Sequence, residues 1–257
     1  MPATQPDEMA LVVYAPGLVG NDGRPVAVVH GMERAFPGLR LEWTTSEEGQ
    51  RTHLTDRDAW LARQRSAGAS PLLHNGNLSA LVSVTGWEKQ ANISPGGQAQ
   101  FEVHAVLPLA AEGIAAAAQV LEAVAEAARA FWGHATPFNA GVDIARQTKN
   151  WAANPQPPPR GLPALKLPRE FPSPEIPHRL GWLNYWSAAA ARLIGFPDPS
   201  RDVDLLSRAR RAATGGWIVR LTDTPLDLDK PSHLEALMRA YQRFPEIGGR
   251  VMPRKSG

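Results

Sequence analysis

His178-Arg-Leu-Gly-Trp182-Leu-Asn-Tyr185-Trp186 opens a segment, running to Arg250, in which turn chemistry, aromatic content and periodicity agree. An alanine-rich run follows and reaches Gly195-Phe196-Pro197-Asp198-Pro199, where two prolines must stop any helix. Val203, Leu206, Ala209 or Arg210, and Ala213 recur at helical spacing, which predicts a helix over 202–214 ended by Gly215-Gly216. Trp217-Ile-Val-Arg-Leu-Thr222 is β-branched and aromatic between turn residues, hence a strand. Pro231-Ser-His233 then leads into Leu234, Leu237, Met238 and Tyr241, one face of a helix closed by Pro245 and Gly248-Gly249. The order is helix, strand, helix: a C-terminal αβα module.

Working outward, Met9 to Tyr14 is an apolar run cut by Pro16-Gly17 and reads as a buried strand. Arg24-Pro25 starts a helix ending at Pro37-Gly38, and Leu39 to Trp43 alternates as a half-wet strand would. Thr55 or Asp56 can cap a helix that runs to Gly68. Leu78–Trp87 and Ala99–Leu107 form a hairpin around Asn92 to Gly97. From Ala110 a long helix sets Ile114, Ala117, Leu121, Val124, Ala128 and Phe131 on one stripe, with alanines small enough to approach a sheet closely.

Nine prolines between 155 and 177 keep that segment extended. Leu162, Leu165, Leu167, Phe171 and Ile176 within it favour a strap over a free linker. The expectation is one α+β domain over 1–257: an antiparallel or mixed sheet covered by helices on one face. It comprises a body over 1–151, a proline-rich strap over 152–177 and the module over 178–257 packed back on the body.

Composition narrows the functional classes. Of the side chains, 43% are hydrophobic and 20% charged, which excludes disorder as the default. Against 25 acidic side chains stand 27 basic ones, too even a balance for a protein that grips nucleic acid directly. Without cysteine there is no disulfide, thiolate metal site or cysteine nucleophile. Met1 to Glu8 lacks the charge and apolar core of a secretory signal, and the alanine-rich stretch carries too many charges to span a membrane, so a cytoplasmic location is expected.

Gly181-Trp182-Leu183-Asn184-Tyr185-Trp186, Gly215-Gly216-Trp217, Pro225-Leu226-Asp227 and Phe244-Pro245-Glu246-Ile247-Gly248-Gly249 resemble phrases of immunity protein family fifty-two and related myxobacterial and type VI secretion families. The resemblance covers roughly the last third of the chain well and the rest only in order of elements. It implies a protein that binds and neutralises a cognate toxin, typically a nuclease of restriction-endonuclease-like fold.

The residues themselves leave several readings open. Asp198, Asp202 and Asp204 lie in one turn region, and Asp223, Asp227 and Asp229 in another. Aspartates in such places most often cap helices or meet solvent, and the two Asp-x-Asp steps have the donors for a hard cation. A third role is to face a basic partner, as an inhibitor of a nuclease would. Of the clustered aromatics, Trp182 and Tyr185 are candidate interface anchors against a prior of core packing. The run Arg208 to Arg211 reads as a solvated helical face. His53-Leu-Thr55 and His134-Ala-Thr136 are spaced as in two-histidine phosphoesterases, where paired imidazoles act as acid and base. No nucleophile elbow, metalloprotease helix, P-loop or dinucleotide turn is present. The expected function is therefore toxin neutralisation by steric occlusion, with no catalysis, metal or cofactor. The alternatives are a phosphoesterase using His53 and His134, or a self-associating scaffold using the strap.

Overall fold

Met9, Leu11, Val13 and Ala15 are fully buried on one side of their strand, while Val12 is buried on the other. A strand apolar on both faces belongs inside a sheet. The computed structural model describes residues 7–46, 48–66, 71–148 and 157–250. In chain order its elements begin with β1 (Glu8–Pro16), α1 (Arg24–Ala35), β2 (Trp43–Thr45), β3 (Arg51–His53), α2 (Arg57–Ser66), β4 (Leu73–His74), β5 (Ser83–Lys89) and β6 (Gln100–Pro108). There follow α3 (Ala111–Ala128), β7 (Trp132–Pro137), α4 (Phe138–Ala145), β8 (Leu183–Trp186), α5 (Ala188–Leu193), α6 (Val203–Leu206), β9 (Ala209–Arg211), β10 (Trp217–Arg220) and α7 (Pro231–Arg243).

The strands join in one antiparallel ten-stranded sheet, β3-β2-β4-β5-β6-β1-β7-β8-β10-β9, with β1 near its middle. Strands from the first half and from the C-terminal module are continuous through the β7–β8 pairing. The first-half helices cover one face. Ala116, Ala117, Val120, Leu121, Val124 and Ala125 of α3 are buried, each large member contributing about 1.5–3 kcal/mol. Close approach is built in: a Cβ on Gly31 of α1 would stand 3.0 Å from the Ala123 carbonyl oxygen of α3.

The opposite face receives the strap and α7. Leu162, Leu165, Phe171 and Ile176 are buried within the chain itself, and Lys166 N donates to Gly248 O at 3.0 Å. These four apolar side chains of the strap are thus used internally, while Leu167 is half-buried. Trp186 meets Phe196 and Phe244 edge-on at centroid distances of 5.1 and 5.2 Å, fixing α7 against β8. Among the described residues no helix is long and apolar enough to cross a membrane.

Three expectations need correction. The helix expected over 202–214 is only α6, after which Ala209–Arg211 forms the edge strand β9. Gly215, at φ 86°, turns β9 back onto β10 and does not cap a helix. Helical spacing lost to an available strand edge: Arg208 lies in a turn and the rest of the basic run is strand, with Arg210 paired to Glu122 of α3. Leu39 and Leu41 are buried in a loop, with strand pairing beginning only at Trp43. β7 and α4 were not anticipated, and the expected boundary at Trp151 falls outside the described residues.

Candidate partner-binding site

Beyond β10 the chain passes through Leu226-Asp-Leu-Asp229 and turns at Leu228-Asp229, with Leu226 and Leu228 buried, Asp227 half-buried and Asp229 exposed. The leucines face the core and the carboxylates lie on the solvent side. Two bonds tie the segment's start to β8: Leu221 N donates to Trp182 O and the Trp182 indole Nε1 donates to Thr222 O, both at 2.9 Å. At the far end Asp229 N donates to Asp227 Oδ1 at 3.0 Å, and Asp227 N donates to His233 Nδ1 of α7 at 3.1 Å. The carboxylates are therefore held by the backbone that carries them.

Arg160 reaches across from the strap. Its Nε donates to Asp143 Oδ2 at 2.6 Å, one terminal nitrogen to Leu228 O at 3.0 Å, and the other to Asp229 Oδ1 at 2.7 Å. Hydrogen bonding to Asp143 and then Asp229 pushes the guanidinium further above its usual range. Under this bridge lies a cleft of about 500 Å³, where Leu109, Ile114, Pro137 and Ala140 meet Asp143, Asp227 and Asp229. At Ile114 it meets a second cleft of about 390 Å³ between α3 and the β9–β10 hairpin, lined by Ala115, Ala118, Leu183, Arg208, Arg220 and Asp223 among others. The two clefts adjoin over a small-residue floor, with Asp143, Asp227 and Asp229 beside Arg160 and Lys230 in one and Arg208, Arg210 and Arg220 beside Asp223 in the other. Each half is of ligand-cleft size. The apolar slot beneath α1 and α2, about 30 Å³, has room for about one or two water molecules.

Of the sequence candidates, Asp223, Asp227, Asp229 and Trp182 line this groove. Asp202 does not: its side chain is fully buried and forks onto Arg243, with Nε to Oδ1 at 2.6 Å and a terminal nitrogen to Oδ2 at 2.9 Å. Asp198 accepts from the Ser200 hydroxyl and from Ser200 N, which hold its carboxyl below the usual range. Asp204 is exposed on α6, outside the groove. Trp182 and Tyr185 are 2% and 3% exposed, so both rings pack in the core, Trp182 at the groove wall. Asp143 and Arg160, unmarked in the sequence reading, reach the groove from elements far apart in the chain. Among the described residues no three His, Asp or Glu side chains gather as a cation site.

The two-histidine alternative fails on geometry. His53 is exposed on edge strand β3, whereas His134 is buried on β7, six places along the sheet order, or roughly 29 Å at about 4.8 Å per strand. No single cleft contains both imidazoles.

Residues 20–252 match the family model described as domain of unknown function (DUF5953). The chain belongs to the DUF5953 family. This description differs from that of the immunity family whose phrases the C-terminal third resembles. No curated protein is matched by the sequence. Among solved structures, Pseudomonas aeruginosa T6SS protein PA0821 is similar in fold, with TM-score 0.55 and 17% identity. The similarity covers 92% of the DUF5953 chain and 76% of that protein.

Proposed function

We propose that this DUF5953 protein is an immunity protein of a type VI secretion system, acting in the cytoplasm of the producing cell to bind and neutralise a cognate toxin. The observation that carries the reading is the groove: carboxylates from the β10–α7 segment and from α4 converge beside the exposed small-residue face of α3. Such a surface offers shape and charge to a partner without a reactive group. The fold shared with a T6SS protein and the sequence phrases of the C-terminal third support the same reading.

In this proposal the protein covers its target by contour, and a basic nuclease meets Asp223 and competes with Arg160 and Lys230 for the carboxylates of Asp229 and Asp227. A stable complex needs about 800 Å² from each partner, so the groove is the centre of a larger contact. Suppression of a lethal activity calls for nanomolar affinity or better, about −12 kcal/mol. The test is co-expression and pull-down with the product of the adjacent gene. That product should be toxic alone and harmless with this protein, and Ala115→Arg, which adds bulk at an exposed groove position, should abolish the complex. A neighbour that is harmless alone, or that never binds, removes the proposal.

A further inference from the structure

The β9–β10 wall of the cleft beside α3 carries arginines on a sheet face that elsewhere carries apolar side chains. Register puts them there. Ile218 stands opposite Arg210 on β9 and opposite Tyr185 on β8. One step further Arg220 N donates to Arg208 O at 3.3 Å, and Arg220 stands opposite Leu183 of β8. Directly opposed residues share a face, as do residues two apart on one strand. Arg208, Arg210 and Arg220 therefore project together with Ile218 and Leu183, and all five line the one cleft. Arg210 fixes the direction, since its guanidinium pairs with Glu122 and donates to Ala118 O at 3.4 Å, both on α3. Arg211 projects the other way, over the Trp217 ring at 5.4 Å.

Across a space of about 390 Å³ these arginines face Ile114, Ala115 and Ala118 of α3, whose alanines leave the depth that longer side chains would fill. The charges in the cleft do not balance. Glu122 answers Arg210, but Arg208 and Arg220, both half-buried, pair with no carboxylate among the described residues. Asp223, exposed, is the acid that lines the cleft, and it forms an ion pair with neither. The Arg208 Nε is buried with no hydrogen-bond partner among the described residues. A guanidinium that gives up water without gaining an acceptor costs free energy, which an anion seated in the cleft would offset.

We propose that this cleft binds a small organic anion, a phosphate or carboxylate group on an apolar body. Arg208 and Arg220 share the oxyanion, and Ile114, Ala115 and Ala118 receive the body. The volume is that of a small-molecule site. Guanidinium suits the task because its planar fork matches two oxygens at once. Such binding needs only this chain and stands apart from toxin recognition.

The experiment titrates the full chain with phenyl phosphate, benzoate and neutral phenol at constant ionic strength, following the Ala115 and Ala118 methyl resonances by NMR. Expected are saturable shifts of both methyls with at least one of the two anions and none with phenol. Phenyl phosphate alone would assign a phosphate ester and benzoate alone a carboxylate. Arg208→Lys and Arg220→Lys, which keep the charge and lose the fork, should each weaken binding roughly tenfold. Arg211→Lys, on the opposite face, should leave it unchanged. No saturable shift with either anion, an equal shift with phenol, or the same affinity in all three variants would overturn the proposal.

Discussion

Acidification from pH 7.5 to pH 5 should destabilise this protein through its buried histidines. Burial, and then the charge of Arg179, holds His178 down to about 3 and His134 well below 6.5. Both fold as neutral rings, while in the unfolded chain each takes up a proton as the pH falls through about 6.5. A depressed folded value therefore gives stability that is complete above the unfolded value and lost below it. At pH 5 the unfolded chain gains about 2 kcal/mol per histidine, so the pair removes about 4 kcal/mol of a domain stability of about 5–15 kcal/mol. His74, lowered by burial, acts in the same direction. The carboxylates do not confuse this window. Asp22, lowered to about 2 by Arg24, and Glu102, lowered by His104 and Lys89 against its burial, lose their contribution only in more acid solution. Urea unfolding between pH 7.5 and 5 should show a slope steepening to at least about 2.7 kcal/mol per pH unit, and His178→Asn should lower it by about 1.4 kcal/mol per pH unit. A midpoint constant across that range would refute the burial of two neutral imidazoles.

Asp202→Ala should cost about 3–5 kcal/mol, because it strands the Arg243 guanidinium beside a fully buried gap, and equilibrium unfolding reads this directly. Gly181→Ala should cost about 1–3 kcal/mol in the same assay, since the new Cβ would meet Thr136 Oγ1 at 2.3 Å; a neutral result would mean the segment over β7 is looser than described. In surface-binding kinetics, the double variant Asp227→Asn with Asp229→Asn should slow toxin association roughly tenfold at low salt, while Asp204→Asn, outside the groove, leaves it unchanged. Equal rates for all three proteins would exclude groove electrostatics from recognition.

The sequence alone determined the elements whose signals are local. The alanine stripe of α3, the apolar run of β1, the β5–β6 hairpin and the Asp56 cap of α2, whose Oδ1 accepts from Ala59 N, needed no distant partner to be legible. The apolar strap and the α7 face were equally plain, and so was the grouping of Asp223, Asp227 and Asp229. Tertiary structure alone decided the rest. β7 is buried at all six positions, so it has no alternation to read, and β9 is a strand because the free edge of β10 offers backbone partners that a helix would forgo. Asp202 left the surface because Arg243 lies 41 residues away in the chain and beside it in space. Arg160 met Asp143 and Asp229 by the same cause. Hydrogen-bonding periodicity is a property of neighbours in sequence, whereas strand pairing and charge compensation are settled between segments that only the folded chain brings together.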